Sequence, residues 1–262
     1  MLPFLRKMAR IFPVYPLNGR WTMQGDTMAT VLVAGDLHIP AVHPGYLQFL
    51  KDTYKKFSCD TVVFIGDIID HHAISFHDKN PELPSAVDEA SMTLKMIARF
   101  YKAFPDAYVT IGNHDERVFR VSKSSGIPPM YLKDYNSVYG THGWVWKFDI
   151  ELDGVLYTHG TGWSGMTPAY NAAKSLGRSV VCGHTHANAS INTQSNGSSV
   201  VFGMNVGCGV DRNHPTMSYG KNNLRKPVLS CGVVTNGIPH LELMKENVDV
   251  RRNERPKTRR KA

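Results

Sequence analysis

The sequence predicts an α/β fold, and three observations predict it. Five short runs rich in Val and Ile, at residues 29–34, 61–65, 108–111, 154–158 and 179–182, read as buried strands bounded by turn residues. Segments with helical spacing lie between them. At 262 residues the chain can bury a full core in one such domain without disulfides or structural metals.

Taken in order, residues 1–28 contain Pro3, Pro13 and Pro16 and are expected to form an irregular arm. Met1 or Met28 serves equally as the start, because strand 29–34 follows Met28 directly. Residues 44–57 read as a helix with Pro44 near its first turn and Tyr46, Leu47, Leu50 and Tyr54 on one face. Residues 85–104 form a longer helix ended by Pro105, with Val87, Met92, Leu94, Met96, Ile97, Phe100 and Tyr101 expected in the core. Segments 115–122 and 129–138 read as shorter helices. Strand 144–152 is expected to pair with 155–158 through Asp153-Gly154, a strong hairpin signal. Helix 167–176 stops at Gly177. Beyond it the runs 198–206, 228–234 and 240–244 read as strands, the last two joined by Asn236-Gly237. No internal repeat or linker marks a second domain, so residues 29–246 are the expected folded unit, between the arm 1–28 and a tail 247–262.

Charge and cysteine usage limit the classes. From residue 251 to 262 the chain carries Arg251, Arg252, Arg255, Lys257, Arg259, Arg260 and Lys261 against Glu254, a net of +6 out of +8 for the whole chain. The basic balance therefore belongs to the tail, which has no apolar periodicity and reads as disordered. It serves either to attract nucleic-acid phosphates or to keep the protein soluble. Cys59, Cys182, Cys208 and Cys231 are widely spaced and form no Cys-x-x-Cys pair, which fits reduced core residues and a cytoplasmic setting. No apolar run approaches the roughly 20 residues that span a bilayer, so no membrane partner is expected. Residues 1–12 scatter Arg6, Lys7 and Arg10 among their apolar positions and make a poor secretory leader.

The strand-like runs end in residues that ligate metals. The segments are Gly35-Asp36-Leu37-His38, Gly66-Asp67-Ile68-Ile69-Asp70, Gly112-Asn113-His114-Asp115, Thr158-His159-Gly160 and Gly183-His184-Thr185-His186. They supply Asp, His and Asn and no Cys, a set suited to borderline divalent metals. Loops at strand ends let a rigid sheet aim several such groups at one point. In extended backbone, residues two apart face one side, so Asp36 with His38, and His184 with His186, can each reach a common centre. One such match is an ordinary turn, but five in series after strands are hard to obtain by chance.

This ordered set, from about Ala29 to His186, resembles the calcineurin-like metallophosphoesterase superfamily. The resemblance implies an αββα sandwich of four layers, two mixed β-sheets packed face to face with helices outside, in which the late strands complete the second sheet. It also implies cleavage of phosphate esters with two divalent metal ions, Mn²⁺ first and Fe, Zn or Ni as alternatives. On the same ground Asp67 is expected to bridge the metals, with Asp36, His38 and His186 completing one site and Asn113, His159 and His184 the other. His114 is expected to face the substrate as an acid, work suited to an imidazole, and Asp70 to orient it. Asp115 is either an acid supporting the metal site or a helix N-terminal acid favoured by the macrodipole.

One departure narrows the substrate. Protein phosphatases of this superfamily follow Gly-Asp-x-x-Asp with Arg-Gly, whereas His71 and His72 stand here, and imidazole does not replace a bidentate fork. With His77 they make a histidine-rich loop, either solvated or beside the site, similar to branches that act on diesters, DNA repair exonucleases among them. The expected substrate is a phosphodiester of DNA, RNA or a nucleotide, with a phosphomonoester or a noncatalytic scaffold as alternatives. Gly160, Gly162 and Gly165 either offer N–H groups to phosphate or shape a tight loop. Trp163, Tyr131 and Tyr135 either stack a base or pack within the fold. The oligomeric state is not encoded in these features.

Overall fold

A computed structural model of the protein describes residues 28–76, 83–195, 200–216 and 226–245. Its chain order is β1 (Thr30–Ala34), α1 (Tyr46–Lys56), β2 (Thr61–Phe64), α2 (Ala86–Ala103), β3 (Ala107–Thr110), α3 (Arg117–Ser124), α4 (Tyr135–Tyr139), β4 (Trp144–Lys147), β5 (Asp149–Leu152), β6 (Val155–Thr158), α5 (Pro168–Leu176), β7 (Ser179–Cys182), β8 (Ala189–Ser195), β9 (Val200–Val206), β10 (Ser230–Thr235) and β11 (Ile238–Leu243). Six strands form one sheet in the order β11-β10-β1-β2-β3-β4, and five form a second in the order β5-β6-β7-β9-β8.

Strand alternation builds the layers. In β1, Leu32 and Ala34 face a cluster with Tyr46 and Leu50 of α1 and Ile97 and Phe100 of α2. Val31 and Val33 face the other way and meet Tyr157, Val181, Met204 and Val206 of the second sheet. The outer face of that sheet, Leu156 and Val180, packs on Ala172 and Ala173 of α5. The result is helix, sheet, sheet, helix, the four-layer α/β sandwich expected. At Gly203 any side chain would collide with the backbone of Tyr170, so the glycine lets α5 lie directly on β9.

Parallel pairing places the site. Strands β1 to β4 pair in parallel, as do β6 and β7, so the loops that follow β1, β2 and β3 leave from one end of the first sheet. Those loops carry Asp36 and His38, Asp67 and Asp70, and Asn113 to Asp115. His159 follows β6, and His184 and His186 follow β7. Such carboxyl ends are where ligands bind in open α/β sheets.

Several expectations need correction. Residues 144–152 are two strands: the chain leaves the first sheet after Lys147, passes the 59% exposed Phe148 and enters the second at Asp149. β8 departs from the expected strands, because Ala189–Ser195 is mostly polar and lacks a Val/Ile run. β10 and β11 join the first sheet through β1, pairing Thr30 with Thr235, so only β9 of the three late runs completes the second sheet. Segment 129–138 breaks into a 3₁₀ turn at Pro129–Tyr131 and the short α4, because Leu132 is extended and Asp134 caps a new helix by accepting from the Ser137 N–H at 2.9 Å. On α2, Val87, Met92 and Leu94 are exposed while Glu89, Thr93, Ile97 and Phe100 are buried. The arm 1–27 and the tail from residue 246 lie outside the described residues, as do His77 and the first two residues of the expected strand 198–206.

Candidate metal centre

The loops at the sheet ends are stitched to one another before any ligand is considered. The Asp67 carbonyl accepts from the N–H groups of Leu37 and His38 at 3.0 and 2.9 Å, joining the first two loops. Asp115 Oδ1 accepts from Ile68 and Ile69 N–H at 3.0 and 3.2 Å, and its Oδ2 from Gly112 N–H at 2.9 Å, joining the second to the third. Asp115 lies one residue before Glu116, the cap of α3, and its side chain accepts from loop N–H groups, so it braces the loops from the helix N-terminus. His38, Asp67, His71 and His184 all adopt positive φ, a concentration of backbone strain typical of a functional site. A side chain at Gly112 would run into Asp67, and one at Gly183 into Asp36, so both glycines are required where the loops converge.

Seven side chains then meet in two groups that share one carboxylate. In the first, His38 Nε2 and His186 Nε2 lie 3.0 Å apart, with Asp36 Oδ2 3.3 Å from His186. In the second, His159 Nε2 lies 3.1 Å from His184 Nδ1 and 3.2 Å from Asn113 Oδ1. Asp67 Oδ2 is 3.5 Å from His38 Nε2 and 3.3 Å from His159 Nε2, and so faces both. Its other oxygen accepts from the His114 N–H at 2.8 Å, which fixes the carboxylate.

The donor set fits divalent cations. Both Asp36 oxygens are fully buried without a hydrogen-bond partner among the described residues, an arrangement that is expensive unless a cation compensates it. Two of the histidines are held from outside, which turns their Nε2 atoms inward. His38 Nδ1 is tied to Asp70 Oδ1 at 2.9 Å and His159 Nδ1 to the Ile65 carbonyl at 2.9 Å, the outer contacts that orient metal-ligating imidazoles.

Electrostatics agree with that reading. Burial disfavours a charged Asp36, yet the close approach of His186 and the charge of His159 outweigh it and lower its pKa. Burial opposes ionisation of Asp67 as well, and His159 chiefly overrides it, holding the carboxyl well below the usual range. Burial also disfavours a charged His159, but Asp67 and Asp36 push it up to about 10. A cation entering here takes the place of that proton. Burial and the Asp67 charge together push Asp115 up to about 7, against the pull of its backbone N–H donors.

Beside the ligand groups stands a second set facing His114. Its Nδ1 is 2.6 Å from the Asp70 carbonyl and 3.3 Å from Asp70 Oδ1, so Asp70 contacts His38 and His114 at once. Burial lowers the His114 pKa, but the bond to Asp70 and the charge of Asp67 raise it above the ordinary value. Arg117, which the sequence did not single out, donates through Nη1 to the carbonyls of Asp70 and His71 at 2.9 Å each. Its Nη2 lies 3.1 Å from His114 Nε2. The only hint in the sequence is its i+3 spacing from His114. The site thus has a guanidinium after all, though with one nitrogen already engaged. His71 is not solvated: its Nδ1 is 2.9 Å from the His114 carbonyl and its Nε2 3.3 Å from the Tyr139 hydroxyl. His72 turns to Glu89 of α2, 3.0 Å away.

The glycines and two of the three aromatic candidates are tied into the fold. Gly160, Gly162 and Gly165 have positive φ, and Trp163 N–H closes a turn on the Gly160 carbonyl at 3.0 Å. Trp163 packs against the α5 cluster, and Tyr135 stacks on Trp146 at 4.4 Å between ring centroids. Tyr131 is 73% exposed. The tail residues Arg251, Arg252, Arg255, Lys257, Arg259, Arg260 and Lys261 lie outside the described residues. All four cysteines are buried and free, and no helix among the described residues is long and apolar enough to cross a membrane.

Comparison with known proteins gives one strong match. The profile of the calcineurin-like phosphoesterases matches residues 29–188, more than half of the chain. No curated protein matches. Among solved structures, Vacuolar Protein Sorting 29 from Cryptosporidium parvum is 15% identical over 84% of this chain and 98% of its own, with a TM-score of 0.39. The phosphoesterase YfcE from E. coli is 15% identical over 80% of this chain and 90% of its own, with a TM-score of 0.39. The nuclease MPE from Pseudomonas putida is 13% identical over 82% of this chain and 87% of its own, with a TM-score of 0.32. Likenesses at these scores bear on neither substrate nor partners.

Proposed function

The chain belongs to the calcineurin-like phosphoesterase family, and from that premise we propose that it is a hydrolase that cleaves phosphodiesters of nucleic acid or a nucleotide at a centre of two divalent cations. The observation that carries this reading is Asp67 Oδ2, which lies within 3.5 Å of His38 Nε2 and 3.3 Å of His159 Nε2. A carboxylate shared by two ligand groups is what two closely spaced cations require. Asp36, His38 and His186 would hold one with Asp67, and Asn113, His159 and His184 the other. Oxygen and nitrogen donors without thiolate favour Mn²⁺, with Fe, Zn or Ni as alternatives. When bound, such a pair neutralises phosphoryl oxygens and activates water near neutral pH.

The protein's own groups do the rest. His114 gives a proton to the departing oxygen, its Nδ1 held by Asp70. Arg117 Nη2 stands beside His114 Nε2. A phosphoryl oxygen entering between them would draw both donors onto itself and free the imidazole for proton transfer. Arg117 Nη1 is spent on two carbonyls, which leaves the N–H groups of Nη2 and Nε on the guanidinium. The diester reading is supported by His71 and His72, which stand where the protein phosphatases of the family carry Arg-Gly. The same arginine is the one observation that favours the second reading, a phosphomonoesterase.

With Mn²⁺, bis(p-nitrophenyl) phosphate should be cleaved with higher kcat/KM than p-nitrophenyl phosphate, and single-stranded DNA or RNA should be cut. Preference for the monoester with no nucleic acid cleaved promotes the phosphomonoesterase. No turnover of any activated ester, with metals bound, leaves a binding scaffold. The folded unit in this reading is residues 29–246, and the free buried cysteines support a reducing, cytoplasmic setting. The basic tail is assigned to nucleic acid. Removing residues 251–262 should flatten the salt dependence of binding to long DNA or RNA and leave hydrolysis of a small diester unchanged. An unaltered salt slope makes the tail a solubility device.

A further inference from the structure

Next to the centre, on the side away from its seven ligand-type residues, a third group converges. Asp70 Oδ2, His72 Nδ1 and a Glu89 carboxylate oxygen lie within 4.8 Å of one another. The His72 ring nitrogen is 3.0 Å from Glu89 Oε1 and 3.8 Å from Asp70 Oδ2. Yet both Asp70 Oδ2 and His72 Nδ1 are buried with no hydrogen-bond partner among the described residues, since the short approach to Glu89 lacks hydrogen-bonding geometry. The Asp70 side chain is 7% exposed and that of Glu89 4%. Two buried carboxylates aimed at one imidazole, with lone pairs left over, require a compensating positive charge. Arg117 lies near enough to both carboxylates to offset part of their charge, but its hydrogen bonds go to the carbonyls of Asp70 and His71 and to His114.

We infer that Asp70, His72 and Glu89 form a third divalent-cation site, distinct from the pair that shares Asp67. Two oxygens and one nitrogen suit a borderline cation such as Zn²⁺ or Mn²⁺, with solvent filling its remaining positions. The site is preassembled by backbone. Glu89 Oε1 accepts from His72 N–H at 3.0 Å and Oε2 from Ala73 N–H at 3.1 Å, which fixes the carboxylate. His72 Nε2 is 3.1 Å from the Pro84 carbonyl, so that nitrogen donates and Nδ1 is left to ligate. Asp70 gives its other oxygen to His38 Nδ1 at 2.9 Å and approaches His114 at 3.3 Å. A cation held here would therefore lock the carboxylate that orients one ligand imidazole and the proton donor.

The test is metal stoichiometry by equilibrium dialysis of the full chain against Mn²⁺ or Zn²⁺, with metal counted by plasma mass spectrometry. Wild type should bind three, and His72→Phe and Glu89→Gln should each bind two. Asp67→Asn should keep the third cation while losing the shared pair. Circular dichroism of both variants checks folding, and Glu89→Gln keeps an acceptor for one of the two backbone donors. A wild-type count of two that neither His72→Phe nor Glu89→Gln lowers, or three retained in both variants, overturns the proposal. A single bound metal lost in His72→Phe but kept in Asp67→Asn would uphold it and overturn the dinuclear reading instead.

Discussion

The two ligand groups that share Asp67 are braced in different ways. In the second, His159 Nδ1 rests on the carbonyl of Ile65, the residue directly after β2. That anchor is backbone: it cannot titrate, and it moves only if the strand moves. In the first, His38 Nδ1 rests on the Asp70 carboxylate, which also approaches His114. The first group is therefore coupled to the proton donor through a charged, replaceable side chain, while the second is tied to the fold. The difference separates metal holding from proton delivery, and four substitutions probe it.

The largest effect is expected where the groups are not separate. Asp67→Asn removes the oxygen both groups face, so metal occupancy and activity should fall together, the activity by more than the ~10⁴-fold limit of a single acid–base group. The apolar clusters of the two sheets do not include Asp67, so the fold should survive. Full activity with both metals retained would falsify the bridge.

His114→Ala should leave both groups loaded, since its imidazole is held by Asp70 and Arg117 rather than by either group's inward nitrogens. Its expected cost is about 10²- to 10⁴-fold in rate. A substrate with a very good leaving group should lose less. Equal losses for good and poor leaving groups would mean that the imidazole binds substrate without protonating it.

What could be read from sequence follows the same division between local and distant. The candidate ligands could be picked out because each sits on a short motif at the end of an apolar run, as in Gly66-Asp67 after β2 and Gly112-Asn113 after β3. Asp70 came in only as the support that the family resemblance implies for His114, and the Ile65 and Glu89 contacts could not be read because the partners are far apart in sequence. Glu89 reads as an ordinary acid in the first turn of α2, yet it is 3% exposed and grips the loop after β2. The α2 stripe shows why: its buried face is Glu89, Thr93, Ile97 and Phe100, polar where it meets the site loops and apolar beyond them. Counting apolar residues alone selected Val87, Met92 and Leu94, which face solvent. Likewise the Thr30 to Thr235 pairing joins strands some two hundred positions apart, and no local pattern encodes which sheet they enter.

The smallest effect, and the most specific to the comparison, is expected from Asp70→Asn. The amide keeps an acceptor for His38 but loses the charge, so the first group should weaken toward metal by roughly 10- to 100-fold, the usual result of removing a ligand's supporting partner, while the second is little changed. Proton delivery should change in a defined direction. Burial lowers the His114 pKa, and Asp70 is the main influence raising it. If the protonated imidazole is the active form, kcat/KM falls as pH rises through that pKa. Removing the Asp70 charge must move this alkaline limb to lower pH, so the variant should lose more activity at pH 8 than at pH 6 when assayed at saturating metal. Asp115→Asn supplies the contrast, since Asp115 bonds only backbone N–H groups of the loops in the hydrogen bonds described. It should lower stability by about 1 to 3 kcal/mol through a lost backbone acceptor and leave the limb nearer its original position. An alkaline limb that stays fixed in Asp70→Asn would detach His114 from Asp70 and leave the carboxylate as a brace for His38 alone.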